Sequence, residues 1–191
     1  MSYYFTNDEN LKSEIRTNKV IINNLPFTLY TDNGVFSKKG LDFGTRSLLE
    51  ALDIKPGKVL DLGCGYGPIG IYISKKYNII PDCVDVNERS IALAIKNAKE
   101  NKVNINAFIS DGFTNIKNNY DYIITNPPIR VGKDKLYSLL NDSISHLNKD
   151  GELWLVISKD QGAKTLMKDF NNHKVTLINK NKGFYIIKIE N

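Results

Sequence analysis

The sequence predicts an α/β fold: a seven-stranded, mainly parallel sheet with an antiparallel C-terminal hairpin, preceded by a small β extension. Three observations predict it. From about residue 41 onward, short apolar runs alternate with stretches of helical hydrophobic spacing, and such alternation requires right-handed crossovers between parallel strands. One run, Val59-Leu60-Asp61-Leu62, passes directly into Gly63-Cys64-Gly65-Tyr66-Gly67 and a helix that Pro68 opens. The last two runs, 174–178 and 184–189, are separated only by Asn179-Lys180-Asn181-Lys182-Gly183, short enough for an antiparallel connection.

Taken in order, the first 40 residues read differently from the rest. Val20-Ile21-Ile22 and Phe27-Thr28-Leu29-Tyr30 are expected to form a hairpin joined across Asn23-Asn24-Leu25-Pro26, with Asp32-Asn33-Gly34 as the next turn. Residues 1–40 are assigned to this N-terminal β extension, and 41–191 to one ligand-binding unit. In Asp42-Phe43-Gly44-Thr45, Thr45 is expected to cap a helix with Leu48, Leu49 and Leu52 on one face, ending before Lys55-Pro56-Gly57. After the central strand, Ile69, Tyr72 and Ile73 line a second helix; the strand 83–86 precedes a third, with Ile91, Ala94, Ile95 and Ala98 at helical spacing. Strands at 107–110 and 122–125 follow, then a helix through Leu136, Leu139, Leu140, Ile144 and Leu147. The strand 153–157 and a helix marked by Ala163, Leu166, Met167 and Phe170 lead to the terminal hairpin. These apolar stripes read as core.

A chain of 191 residues fits one domain with a sizeable core. No apolar run approaches the ~20 residues of a membrane span, and the polar start lacks the basic and apolar regions of a signal peptide. The expectation is a cytoplasmic protein with no membrane partner. Cys64 lies in the glycine turn and Cys83 in a strand, a setting for neither a disulfide framework nor a metal site. The net charge of +5 is compatible with a nucleic-acid partner. It carries weight only where cations gather on one face, because the basic residues are mostly lysines, with arginine confined to Arg16, Arg46, Arg89 and Arg130.

The glycine turn calls for a ligand. Glycines at alternate positions permit a backbone that other residues avoid and let it approach a bound molecule closely. The dinucleotide fingerprint needs its third glycine where Pro68 stands, and there is no Gly-Lys-Ser/Thr of a phosphate loop. Asp61 at the strand's exit repels a pyrophosphate and attracts a cation, which favours S-adenosylmethionine, a ligand with an ammonium, a sulfonium and no phosphate. The Asp61 to Gly67 run closely resembles the first motif of class I S-adenosylmethionine-dependent methyltransferases, which implies a Rossmann-like fold.

In a doubly wound sheet the ligand lies across the carboxyl ends of the strands. Asp61, Asp85, Asp111 with Gly112, and Asn126 fall at successive ends. Asp85 can accept both ribose hydroxyls, or cap the helix beginning near Glu88; Asp111 can meet the adenine amine, or make a turn. Asn126-Pro127-Pro128-Ile129 removes two N–H donors and holds the Asn side chain rigidly. The Asn126 oxygen and the Pro127 carbonyl can then accept both hydrogens of an exocyclic amine and aim its lone pair at the sulfonium methyl.

The run from Asn126 through Arg130 to Lys133, with Asp32-Asn33-Gly34-Val35-Phe36-Ser37 and Asp42-Phe43-Gly44-Thr45 upstream, resembles the RsmC-type family of ribosomal small-subunit guanine-N2 methyltransferases, from about Tyr3 onward. The resemblance implies catalysis by Asn126, Pro127 and Pro128. It implies cofactor contacts at Asp61, Gly63, Cys64, Gly65, Gly67, Asp85, Val86, Asp111, Gly112 and Asn126. Ile129 stands where many members have an aromatic that can stack on the base, leaving Phe36 to supply it; Arg130, Lys133, Lys38 and Lys39 are candidates for phosphates. The chain has no room for the extra RNA-binding domain of the long members, and a homodimer would enlarge the footprint. Transfer to a protein glutamine amide or an adenine amine, and a noncatalytic RNA-binding module, are the alternative readings.

Overall fold

The computed structural model describes residues 12–128 and 132–191, so Ile129 and Arg130 lie outside the described residues. Its elements in chain order are β1 (Arg16–Ile22), β2 (Leu25–Thr31), α1 (Phe43–Ala51), β3 (Val59–Leu62), α2 (Pro68–Tyr77), β4 (Asp82–Asp85), α3 (Glu88–Glu100) and β5 (Asn106–Ile109). They continue with β6 (Tyr120–Thr125), α4 (Lys133–Ser145), β7 (Leu147–Ser158), α5 (Ala163–Asp169), β8 (Lys174–Asn181) and β9 (Phe184–Glu190). Seven strands form one sheet in the order β5-β4-β3-β6-β7-β9-β8, while β1 and β2 pair only with each other. The first five sheet strands run parallel; β9 is antiparallel to both β7 and β8. The chain order therefore reverses between β3 and β6, the place where an open α/β sheet leaves a crevice.

All four residues of β3 are buried, as a central strand covered on both faces requires. One face of the sheet packs Ile124, Trp154 and Val156 under α1, α2 and the N-terminal hairpin, whose Ile22, Phe27 and Leu29 join the same core. The other face packs Leu60, Ile123, Leu153 and Ile187 against Leu136, Leu140 and Ile144 of α4 and Leu166 of α5. Ile123 and Ile124 point to opposite sides, as strand periodicity dictates.

Three sequence expectations are corrected. The N-terminal turn consists of Asn23 and Asn24 alone, both at positive φ, so Leu25 and Pro26 belong to β2 rather than to the loop. Two residues at positive φ match the strand twist, and asparagine tolerates that region. The terminal hairpin likewise closes through Lys182 and Gly183 alone, with φ of 44° and 82°; the other three residues expected in the loop, Asn179 to Asn181, extend β8. Finally, α1 is capped by Asp42, whose carboxylate accepts from the Thr45 N–H at 2.9 Å; Thr45 lies inside the helix.

The hairpin is fastened by two asparagines, Asn97 in α3 and Asn101 at its C-cap. The Asn97 side chain accepts from Tyr30 N–H at 2.6 Å and donates to the Tyr30 carbonyl at 2.9 Å. Asn101, one turn later, does the same to Thr28 at 3.0 and 2.7 Å. Each amide supplies the donor and acceptor that a neighbouring strand would, so the free edge of β2 is satisfied by a helix. Asn97 also donates to the Tyr66 carbonyl at 2.9 Å, tying this fastening to the glycine turn.

Candidate active site

The glycine turn leaves β3 at the centre of the sheet. Gly63 and Gly65 have φ of 71° and 55°, and a Cβ at either would meet nothing within 4 Å. They are required by the backbone conformation, and the space above them is open to a ligand. Gly70, one turn into α2, has a different reason: a Cβ there would lie 2.3 Å from Cys83 Sγ and 3.3 Å from Asp61 Oδ2. Its absence lets α2 sit directly on β3 and β4. Gly70→Ala is expected to cost about 1–3 kcal/mol, the usual range for overpacking. In a denaturation double-mutant cycle, Cys83→Ala should recover part of that loss; strict additivity would refute the packing account.

The carboxylates differ in setting. Asp61 is fully buried, and its Oδ2 accepts from Gly70 N–H at 2.8 Å. Its Oδ1 is buried with no hydrogen-bond partner. Burial pushes the carboxyl up to about 7; the Gly70 bond opposes this, and the charge of Asp85 adds to it. Folding therefore favours the protonated form: the contribution to stability is complete below the unfolded pKa near 4 and is lost as pH rises through about 7. Denaturation of the ligand-free protein should show that decline, and Asp61→Asn should flatten it.

Asp85 ends β4 half-buried, and burial raises its pKa. One oxygen accepts from Gly65 N–H and the other from Asn87 N–H, both at 2.9 Å. It does not cap α3: Asn87 does, accepting from Arg89 and Ser90 N–H. Each Asp85 oxygen retains acceptor capacity toward the open side. Val86 follows, half-buried, and Cys64 is buried with its thiol pKa pushed up, which makes it an inert filler. Asp111 is exposed beyond β5, next to Gly112; its carbonyl accepts from Thr114 N–H, so it makes a turn.

Asn126 follows β6, whose last residue donates from Thr125 Oγ1 to the Leu62 carbonyl at 2.8 Å, locking the two strand ends together. The Asn126 amide donates to Thr45 Oγ1 at 2.9 Å and lies 3.4 Å from Asp42 Oδ1. A carboxylate only accepts, so this neighbour dictates that the NH₂ faces α1 and the carbonyl oxygen faces away. Among the described residues, nothing donates to that oxygen. Pro127 is buried and Pro128 half-buried, anchoring the segment. Asp42 and Thr45 were not among the residues assigned to the site from sequence; the capping pattern at 42–45 was the available signal.

Phe36 is half exposed, at 51%. Its loop is held to the start of α3 by Asn87 Nδ2 on the Gly34 carbonyl at 3.0 Å and Arg89 on the Asn33 carbonyl at 2.9 Å. Lys133, assigned to phosphate, pairs with Asp169 of α5 at 3.2 Å and lies over the Tyr137 ring. Its charge is therefore already shared.

Residues 26–188 match the family model described as the methyltransferase small domain. The uncharacterised protein YbxB of Bacillus subtilis is 38% identical, over 97% of this chain and 96% of its own length. Ribosomal RNA small subunit methyltransferase C of Psychromonas ingrahamii is 36% identical over 84% of this chain, which spans 48% of that relative. Among solved structures, the Thermus thermophilus 16S rRNA N2 G1207 methyltransferase, in complex with AdoMet and guanosine, superposes with a TM-score of 0.82. That alignment is 24% identical and covers 94% of this chain and 51% of the other.

Proposed function

The chain belongs to the methyltransferase small domain family, and from that premise we propose that it methylates the exocyclic amine of a guanine in ribosomal RNA of the small subunit. The observation that carries this reading is Asn126, whose NH₂ is taken up by Thr45 and Asp42 so that its oxygen is presented to an incoming amine.

S-adenosylmethionine is the methyl donor of this class, and the residues fit it. Gly63 and Gly65 leave open space, Asp85 offers two oxygens for ribose hydroxyls, and the unpartnered Asp61 oxygen lies beneath the turn, where a cationic ligand would draw the carboxyl into its ionised form. Bound there, the cofactor supplies an electrophilic methyl group. The protein's own part is to orient and desolvate the nucleophile. Accepting hydrogen bonds at Asn126 Oδ1 and the Pro127 carbonyl withdraw the amine lone pair from the purine ring and direct it. The amine proton, acidic once the nitrogen is alkylated, would leave to water from between the Asn126 and Pro127 oxygens. No strong base is required.

The guanine-N2 acceptor is supported by the resemblance at Asn126-Pro127-Pro128 and by relatives named as small-subunit rRNA methyltransferases. Mass spectrometry of rRNA nucleosides from a deletion strain tests it. One N2-methylguanosine should disappear, and the purified protein with S-adenosylmethionine should restore it. A lost methyl-adenosine instead would move the acceptor, a methyl-glutamine lost from a digest of the same strain's proteins would move it to protein, and no lost methyl group would leave the fold as a binding module.

A further inference from the structure

The sheet distributes its lysines unevenly. Ser158, at the carboxyl end of β7, is in register with Phe184, so the tip of the β8–β9 hairpin stands at the same rim of the sheet as Asn126 and Asp85. At the opposite rim the cations are neutralised: Lys174 pairs with Glu190 at 3.0 Å and Lys188 with Glu152 at 2.7 Å. At the tip they are not. Lys180 and Lys182 are exposed, and among the described residues neither has a carboxylate within ion-pair distance. Lys182 Nζ lies 5.0 Å above the ring of Phe43, and Lys180 Nζ 5.3 Å above that of Tyr185. Phe43 directly follows Asp42, the carboxylate beside the Asn126 amide.

The hairpin is also a firm support. The Phe43 and Phe184 rings pack at 5.7 Å, and a Cβ on Gly44 would come within 3.1 Å of the Phe184 ring. Lys159 N–H donates to the Gly183 carbonyl at 2.7 Å, joining the tip to the end of β7, where Lys159 and Asp160 are the neighbouring charges. The tip is thus held against the start of α1 at one edge of the candidate active site.

We propose that this hairpin tip is an RNA-backbone-binding arm, with Lys180 and Lys182 each holding a phosphate of the strand that delivers the target base. The proposal rests on the reading of the site as an RNA methyltransferase. Ammonium groups on long stems fit phosphates as mobile point charges, and their aromatic seats keep the stems directed without neutralising the charge. The pattern predicts positioning without sequence preference.

The test is a Lys180→Gln/Lys182→Gln double variant of the full chain, with an in vitro small-subunit rRNA transcript as probe. Binding is measured across a potassium chloride series, together with methylation kinetics. Two lost phosphate contacts should reduce the slope of log K against log salt by about 1.4, at about 0.7 per contact on single strands. KM for the transcript should rise on the order of tenfold at moderate salt, while kcat and S-adenosylmethionine affinity hold. The Lys180→Arg/Lys182→Arg variant should keep the wild-type slope. If the glutamine variant keeps slope and KM while the wild type methylates the transcript, the arm is refuted and the RNA reading stands. A wild type that neither binds nor methylates transcript or small subunits overturns both.

Discussion

Asn126→Ala is expected to lose about 10²-fold or more in single-turnover rate while binding cofactor and substrate nearly as before. The reason lies in when its contact matters. The N–H groups of the neutral amine become stronger donors to the Asn126 oxygen as the nitrogen gives up its lone pair and gains positive charge, so the bond is strongest in the transition state. The position of Asp42, 3.4 Å from the Asn126 amide nitrogen, adds a second expectation. Asn126→Asp keeps an acceptor, so it should retain partial rate, but it sets a carboxylate against another. Adding Asp42→Asn removes that repulsion and should raise the rate of the aspartate variant. An Asn126→Ala protein with wild-type rate, or no recovery in the double variant, would sink this account of the site.

Cofactor affinity should depend most on Asp85. Asp85→Ala is expected to weaken S-adenosylmethionine by ~1.5 to 3 kcal/mol, the range for a charge-assisted contact, or roughly ten- to 150-fold in Kd. The structure gives the loss two sources. Oxygens that would meet the ribose disappear, and Gly65 N–H loses its 2.9 Å acceptor, so the turn itself loosens. Asp85→Asn separates them: one amide oxygen can still hold Gly65, and the affinity should fall less. Calorimetric titration with a folded alanine variant of unchanged affinity would remove Asp85 from the site.

Much of this was legible in sequence because it is local. The apolar strand, alternating glycines and Pro68 lie within ten residues and specify one turn, and the seven sheet strands could be placed from their spacing. What escaped depends on contacts between distant segments. Thr45 and Asp42 reach Asn126 across 81 and 84 residues, and no short-range pattern reports such a meeting. Asn87 rather than Asp85 caps α3 because Asp85 is already engaged by Gly65, 20 residues earlier in the chain. Lys180 reads as loop because Asn179 to Asn181 lack apolar alternation; pairing with β9 carries it into β8 and leaves Lys182 in the turn.

The two asparagines of α3 and its C-cap also set a schedule for synthesis. Thr28 and Tyr30 find their partners 73 and 67 residues downstream, in a helix that does not yet exist when the hairpin leaves the ribosome. At ~5–20 residues per second, the hairpin waits roughly 3 to 15 s for these partners, with one strand edge bare and the apolar side chains of Ile22, Phe27 and Leu29 not yet fully covered. An isolated two-stranded ribbon is marginal in water. The hairpin is thus made early and finished late, and Asn97, which grips both Tyr30 and the Tyr66 carbonyl, closes the hairpin and the glycine turn in the same event.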